Sequence, residues 1–77
     1  MKYACWSDDI PGGAHIELPA ATTEKAALMF AFLNDDENWA ANESVMVSVR
    51  AIGEGDRAVL VRHEVIKDVH FRIAGRK

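Results

Sequence analysis

Three histidines (His15, His63, His70), one cysteine (Cys5) and two pairs of adjacent acids (Asp8-Asp9 and Asp35-Asp36) are the residues of this chain with reactive chemistry to offer. A cysteine becomes a nucleophile where a histidine activates it. Histidines at helical spacing bind metal, and paired carboxylates can divide acid and base roles at a glycosidic bond. The spacing here favours none of these. No HExxH occurs, and a single cysteine excludes an intrachain disulfide and a zinc knuckle. The turn glycines Gly12-Gly13 and Gly53-Glu54-Gly55 do not make the longer, lysine-terminated pattern of a phosphate loop. Neither catalysis nor a metal or cofactor is expected, and the chain reads as a binding protein.

The elements that carry these residues are legible from periodicity. Lys2 to Ser7 is rich in strand formers, Pro11-Gly12-Gly13 signals a turn, and Ala14 to Leu18 alternates, so a hairpin closed by Pro19 is expected. Thr22 or Thr23 can N-cap a helix with Glu24 in its first turn. Ala26, Ala27, Phe30 and Leu33 form one apolar stripe, which Leu28, Met29 and Phe32 widen far beyond the usual ~100°. Asn34 followed by Glu37 looks like a capping box. Either the helix breaks there and a short second one carries Trp39, or the chain turns; Asn42 offers a stop.

Three strands follow. Their core sets are Val45, Val47, Val49 and Ala51, then Val59, Val61, His63 and Val65, then Val69, Phe71 and Ile73. All are odd-numbered. Paired residues share a face, so pair sums must be even and loops odd in length. Gly53-Glu54-Gly55, with Gly55 left-handed, and Ile66-Lys67-Asp68 fit as three-residue loops. The expected fold is α+β: a small two-layer single domain over 1–77, mostly antiparallel, in the order β-β-α-β-β-β, with one main helix on one face. Parity puts His63 on the core side and His70 on the outer side, so they do not form a pair. Cys5, alternating with Tyr3, is expected as a small core residue.

Size and charge narrow the function. Seventy-seven residues, 49% hydrophobic and 27% charged, suffice for one core and leave little chain for the walls of a deep cleft. No apolar run approaches the ~20 residues of a membrane span and no signal peptide is evident, so a cytoplasmic protein is expected. The net charge of −3 hides an asymmetry: residues 1–43 carry eight acids and two lysines, residues 44–77 seven bases and four acids. Asp8, Asp9, Asp35, Asp36, Glu37 and Glu43 fall in loops or at helix ends. If those loops share one side, they make a negative surface with Trp39, and Trp6 nearby, as aromatic anchor for a basic protein partner. Arg50, Arg62 and Arg72 share the outer sheet face. They support an alternative, a nucleic-acid-binding module, although that face offers Met46, Ile52 and Leu60 in place of stacking aromatics.

The arrangement KYACWSDD … AHIELPAATTEKAALMFAFL … ESVMVSVRAIGEGDRAVLVRHEV resembles small acidic proteins encoded by bacteriophages and mobile elements, among them the anti-CRISPR inhibitors. The likeness is one of pattern and covers most of the chain. It implies a non-enzymatic inhibitor in the bacterial cytoplasm whose partner is a CRISPR-Cas effector, met by an acidic surface that competes with nucleic acid. It assigns a role to no single residue. A monomer is expected, with self-association through the over-wide helix stripe as a third reading.

Overall fold

The computed structural model describes residues 1–9, 15–34, 39–40, 42–53, 59–67 and 71–74. Its elements run β1 (Lys2–Trp6), β2 (Ile16–Pro19), α1 (Thr23–Leu33), β3 (Ser44–Ala51), β4 (Val61–Lys67) and β5 (Phe71–Ile73). The five strands form one antiparallel sheet in the order β2-β1-β3-β4-β5, and α1 touches all five on a single face. This is the expected α+β, two-layer arrangement, only 16 Å through its thinnest dimension.

The helix begins where its capping chemistry dictates. Thr22 is extended (φ −140°) and its hydroxyl accepts from the Lys25 N–H at 3.1 Å, while Glu24 sits in the first turn, where the helix dipole favours an acid. It ends at Asn34. The Asn34 side-chain amide donates to the Phe30 carbonyl at 2.9 Å, so this residue closes α1 at its C-terminus. Residues 35–38 and 41 lie outside the described residues, and with them the Glu37 half of the expected capping box.

Ala26, Ala27, Phe30 and Ala31 face the sheet with no exposed surface, over Cys5, Val47, Val49 and Val65, which are equally buried. Alanines flanking one phenylalanine let the helix backbone approach closely while the ring fills the centre. The expected stripe is corrected at one end: Leu33 is 58% exposed and Ala31 takes its place. At 100° per residue, Leu33 lies roughly a quarter-turn from the centre of the buried set, in the last turn. Met29 and Phe32 are exposed and Leu28 packs partly against the core.

Parity holds throughout β3, β4 and β5, but the β3–β4 register moves by two residues and the β4–β5 register by four. Val45 pairs with Val65 and Val49 with Val61, so β3 and β4 are joined through residues 52–60 and not by a three-residue loop at 53–55. Gly53 does adopt the left-handed region (φ +91°), whereas Gly55 lies outside the described residues. Val59, expected on the core face, precedes β4 and is 72% exposed. Lys67 pairs with Phe71, so β4 runs through Ile66 and Lys67, which the expected turn at 66–68 would have taken, and Asp68 lies outside the described residues. Both shifts are even, which keeps every side chain on its face.

Phe30→Ala should destabilise the fold by about 3–5 kcal/mol, most of what a domain of this size can lose. Phe32→Ala, two residues on, should stay within about 0.5 kcal/mol of the parent. Urea unfolding of both variants tests the placement, and equal losses would contradict it.

Candidate functional site

Between Trp6 and Met46 the backbone ladder is replaced by side chains. Trp6 is the last residue of β1, opposite Ser48 on β3. The buried Ser7 hydroxyl donates to the Met46 carbonyl at 2.7 Å and accepts from the Asp9 N–H at 3.1 Å. The Asp9 carboxylate accepts from the Met46 N–H at 2.9 Å. A short polar stretch thus satisfies the β3 backbone after β1 has turned away, as buried or half-buried backbone groups require. Asp9 has a structural task besides its charge, and Asp8, beside it, is exposed.

This tie brings the acidic end of β1 against the start of β3. Glu43 immediately precedes β3 and lies three positions before Met46, about 10 Å along a strand at ~3.3 Å per residue. Glu64 is exposed and pairs directly with Met46. Asp8, Asp9, Glu43 and Glu64 therefore occupy one end of the sheet, the arrangement on which the acidic-surface expectation depends. Asp35, Asp36 and Glu37 lie outside the described residues.

Trp39 differs from its expected role. It is 5% exposed, its ring packs on Phe71 (centroids 4.9 Å apart, tilted by 46°), and its indole N–H donates to the Glu43 carbonyl at 2.8 Å. It fixes the backbone at Glu43 from inside the core and presents no anchor to a partner. The amphipathic indole is used in the usual way, apolar body buried and N–H bonded.

The tryptophan that does reach the surface is Trp6. Tyr3 and Cys5 point into the core, so Trp6 stands on the outer face, half-buried, stacked on His15 with centroids 4.5 Å apart and rings 18° from parallel. The strand registers extend this row to Ser48 and Arg62, and place Arg50 one step along beside Ala4. Asp8, Asp9, Met46, Ser48 and Arg62 line an open cavity of about 330 Å³ next to it. The outer face thus has the aromatic that the sequence reading found lacking. Alternation from Tyr3 and Cys5 was the signal that could have placed it. Arg50, Arg62 and Arg72 are all exposed on that face; Arg72, opposite Ile66, is four residues further along β4 than Arg62.

The remaining reactive groups are placed apart. Cys5 is fully buried, with its thiol 3.8 Å from the Ala26 carbonyl, and burial pushes its pKa from 9.0 up to about 11. His63 sits half-buried on the core side of β4, with Nε2 3.0 Å from the Thr23 hydroxyl, joining the sheet to the first turn of α1. His70 lies outside the described residues. Among the described residues, no three His, Cys, Asp or Glu side chains gather as a metal would need, and no helix is long and apolar enough to cross a membrane. No family model, curated protein or solved structure matches this chain.

Two outcomes follow from this geometry. Asp9→Ala should cost about 1 kcal/mol through the orphaned Met46 N–H, while Asp8→Ala stays within about 0.5 kcal/mol, both read by urea unfolding. The Cys5 thiol is neutral longer in the folded chain than in the unfolded one. Its contribution is therefore intact below pH 9, and stability falls as pH rises from 9 towards 11 because the unfolded state loses its proton first. Cys5→Ala should show a shallower fall over that window, and an identical slope in both proteins would contradict the assignment.

Proposed function

We propose that this protein is a non-catalytic inhibitor of phage type that docks on a bacterial CRISPR-Cas effector through the acidic end of its sheet. The observation that carries the reading is the tie of Ser7 and Asp9 to Met46, which holds Asp8 and Asp9 at the end of the sheet where Glu43 precedes β3 and Glu64 pairs with Met46. Carboxylates held on a rigid edge speed encounter with a basic groove and compete there with phosphates. Trp6, beside Asp8 and Asp9 on the outer face, replaces Trp39 as the aromatic contact, in keeping with the weight of tryptophan in protein interfaces. The acidic triplet Asp35, Asp36 and Glu37 belongs to the same charge set by sequence.

A second reading is favoured by one observation. Trp6 stacked on His15, in one row with Arg62 and beside Arg50, is a platform on which a single-stranded nucleic acid could lay a base and two phosphates. The same face carries Glu17 and Glu64, so its charge is mixed, and the inhibitor reading stands first.

Phage plating on hosts carrying different CRISPR-Cas systems distinguishes the readings. The parent chain should restore plaques of a targeted phage on at least one host. Asp8→Asn/Glu43→Gln/Glu64→Gln, checked for intact circular dichroism, should lose that effect, and Asp35→Asn/Asp36→Asn/Glu37→Gln should weaken it. Restoration on no host removes the class, and full activity of the Asp8 triple variant removes the surface. For the second reading, gel shifts with labelled single strands should show affinity falling with salt, with the log–log slope reduced by about 0.7 for each of Arg50→Gln and Arg62→Gln.

A further inference from the structure

β5 is the last strand of the sheet among the described residues, and its backbone phase is fixed by one hydrogen bond. The Ala74 N–H donates to the Glu64 carbonyl at 2.8 Å, in the same register that pairs Arg72 with Ile66. Bonded pairs alternate along an antiparallel ladder, so Arg72 turns its N–H and C=O towards β4. Phe71 and Ile73 turn theirs outwards. Two donors and two acceptors, spaced for a strand, therefore line this edge.

Beside the edge lies a groove of about 430 Å³ between β5 and the start of α1. Leu28, Phe71 and Ile73 supply its apolar lining, and Thr22, Glu24, Lys25 and Arg72 its polar rim, two bases against one acid. A residue paired with Phe71 or Ile73 would share their face and enter this groove. The residue between would share the face of Arg72. A second copy of β5 paired about Arg72 would set two guanidinium groups side by side, which disfavours self-pairing.

We propose that the β5 edge binds an extended peptide segment as a sixth strand, with the pattern apolar–acidic–apolar. The two apolar side chains occupy the groove over Leu28, and the acidic one lies across from Arg72. Main-chain bonds to Phe71 and Ile73 supply the attachment and the alternate side chains the selectivity, as in other strand-addition complexes. This groove shares no lining residue with the cavity beside Asp8 and Asp9, from which β3 and β4 separate it.

The probe is the capped peptide Thr-Val-Glu-Val-Glu-Val-Thr, titrated into the isotope-labelled full chain and followed by amide shifts and hydrogen exchange. Saturable shifts should centre on Phe71, Ile73 and Leu28, with amide exchange at Phe71 and Ile73 slowed about tenfold at saturation. Ile73→Pro removes one outward donor without touching a bond to β4 and should abolish binding. Arg72→Glu should reverse the preference, favouring the peptide with lysine in place of glutamate, and serves where the proline variant fails to fold. No shifts at millimolar peptide, no preference reversal in Arg72→Glu, or protection of Phe71 and Ile73 in the free chain would each overturn the proposal. Protection that grows with protein concentration alone would replace the peptide with a second copy.

Discussion

Phe30 lies between helix and sheet with none of its surface in water, and the three alanines around it let α1 settle directly on the valines of β3 and β4. This one contact layer holds the molecule together. Among the described residues, one eleven-residue helix covers one face of the five-stranded sheet. The other face carries no helix among the described residues. Its half-exposed Met46 and Leu60, and the Trp6–His15 stack, go with that open face, as the buried valines go with the covered one. Among the described residues, the surfaces offered for recognition are that outer face, the ends of the strands and the β5 edge with its groove against α1.

A second constraint decides how the charge is distributed. Strand β3 is longer than β1, so its first residues lose their neighbour before the strand has begun to be covered. Ser7 and Asp9 fill that gap with side-chain oxygens. An acid is well suited to it, since an ionised carboxylate accepts an N–H more strongly than a neutral group does. The structural need therefore draws negative charge to this end. Trp39 does the same from the other direction: buried on Phe71, it holds the Glu43 carbonyl and with it the backbone of another acid. The acidic end is built from the core outwards.

The pattern of alternation was enough to anticipate the element order, the face of each strand and the burial of Cys5, because those depend only on the period of the apolar residues. Thr22 as N-cap was equally local. The shifts of two residues between β3 and β4 and of four between β4 and β5 were not legible, because an even shift preserves every face and only the partner strand chooses between registers. Leu33 and Ala31 illustrate a related limit. Hydrophobicity favours leucine for the buried stripe, yet Leu33 is exposed in the last turn, roughly a quarter-turn from the centre of the buried set, and the smaller Ala31 is fully buried against the core. Trp39 was misplaced for the opposite reason: a tryptophan among acids suggests an exposed anchor, and nothing local reveals that Phe71 waits for it across the fold. Trp6 could have been read correctly, since the inward positions of Tyr3 and Cys5 already fixed its direction.

Placing like charges at the end of a sheet is also the arrangement that costs the fold least. Two carboxylates ~10 Å apart in water repel by only a few tenths of a kcal/mol, and salt screens much of that. The same four groups set among the buried valines would have to be neutralised or paired. The free protein therefore carries its acids cheaply as long as water surrounds them. A partner that displaces that water lowers the local dielectric, and the carboxylates then interact strongly with whatever charge faces them. With a basic partner that change is favourable, with an acidic one it is costly, and with no partner it does not arise. A surface of this kind discriminates by charge without needing a pocket, which suits a molecule only 16 Å thick whose single core is already committed to holding one helix on one sheet.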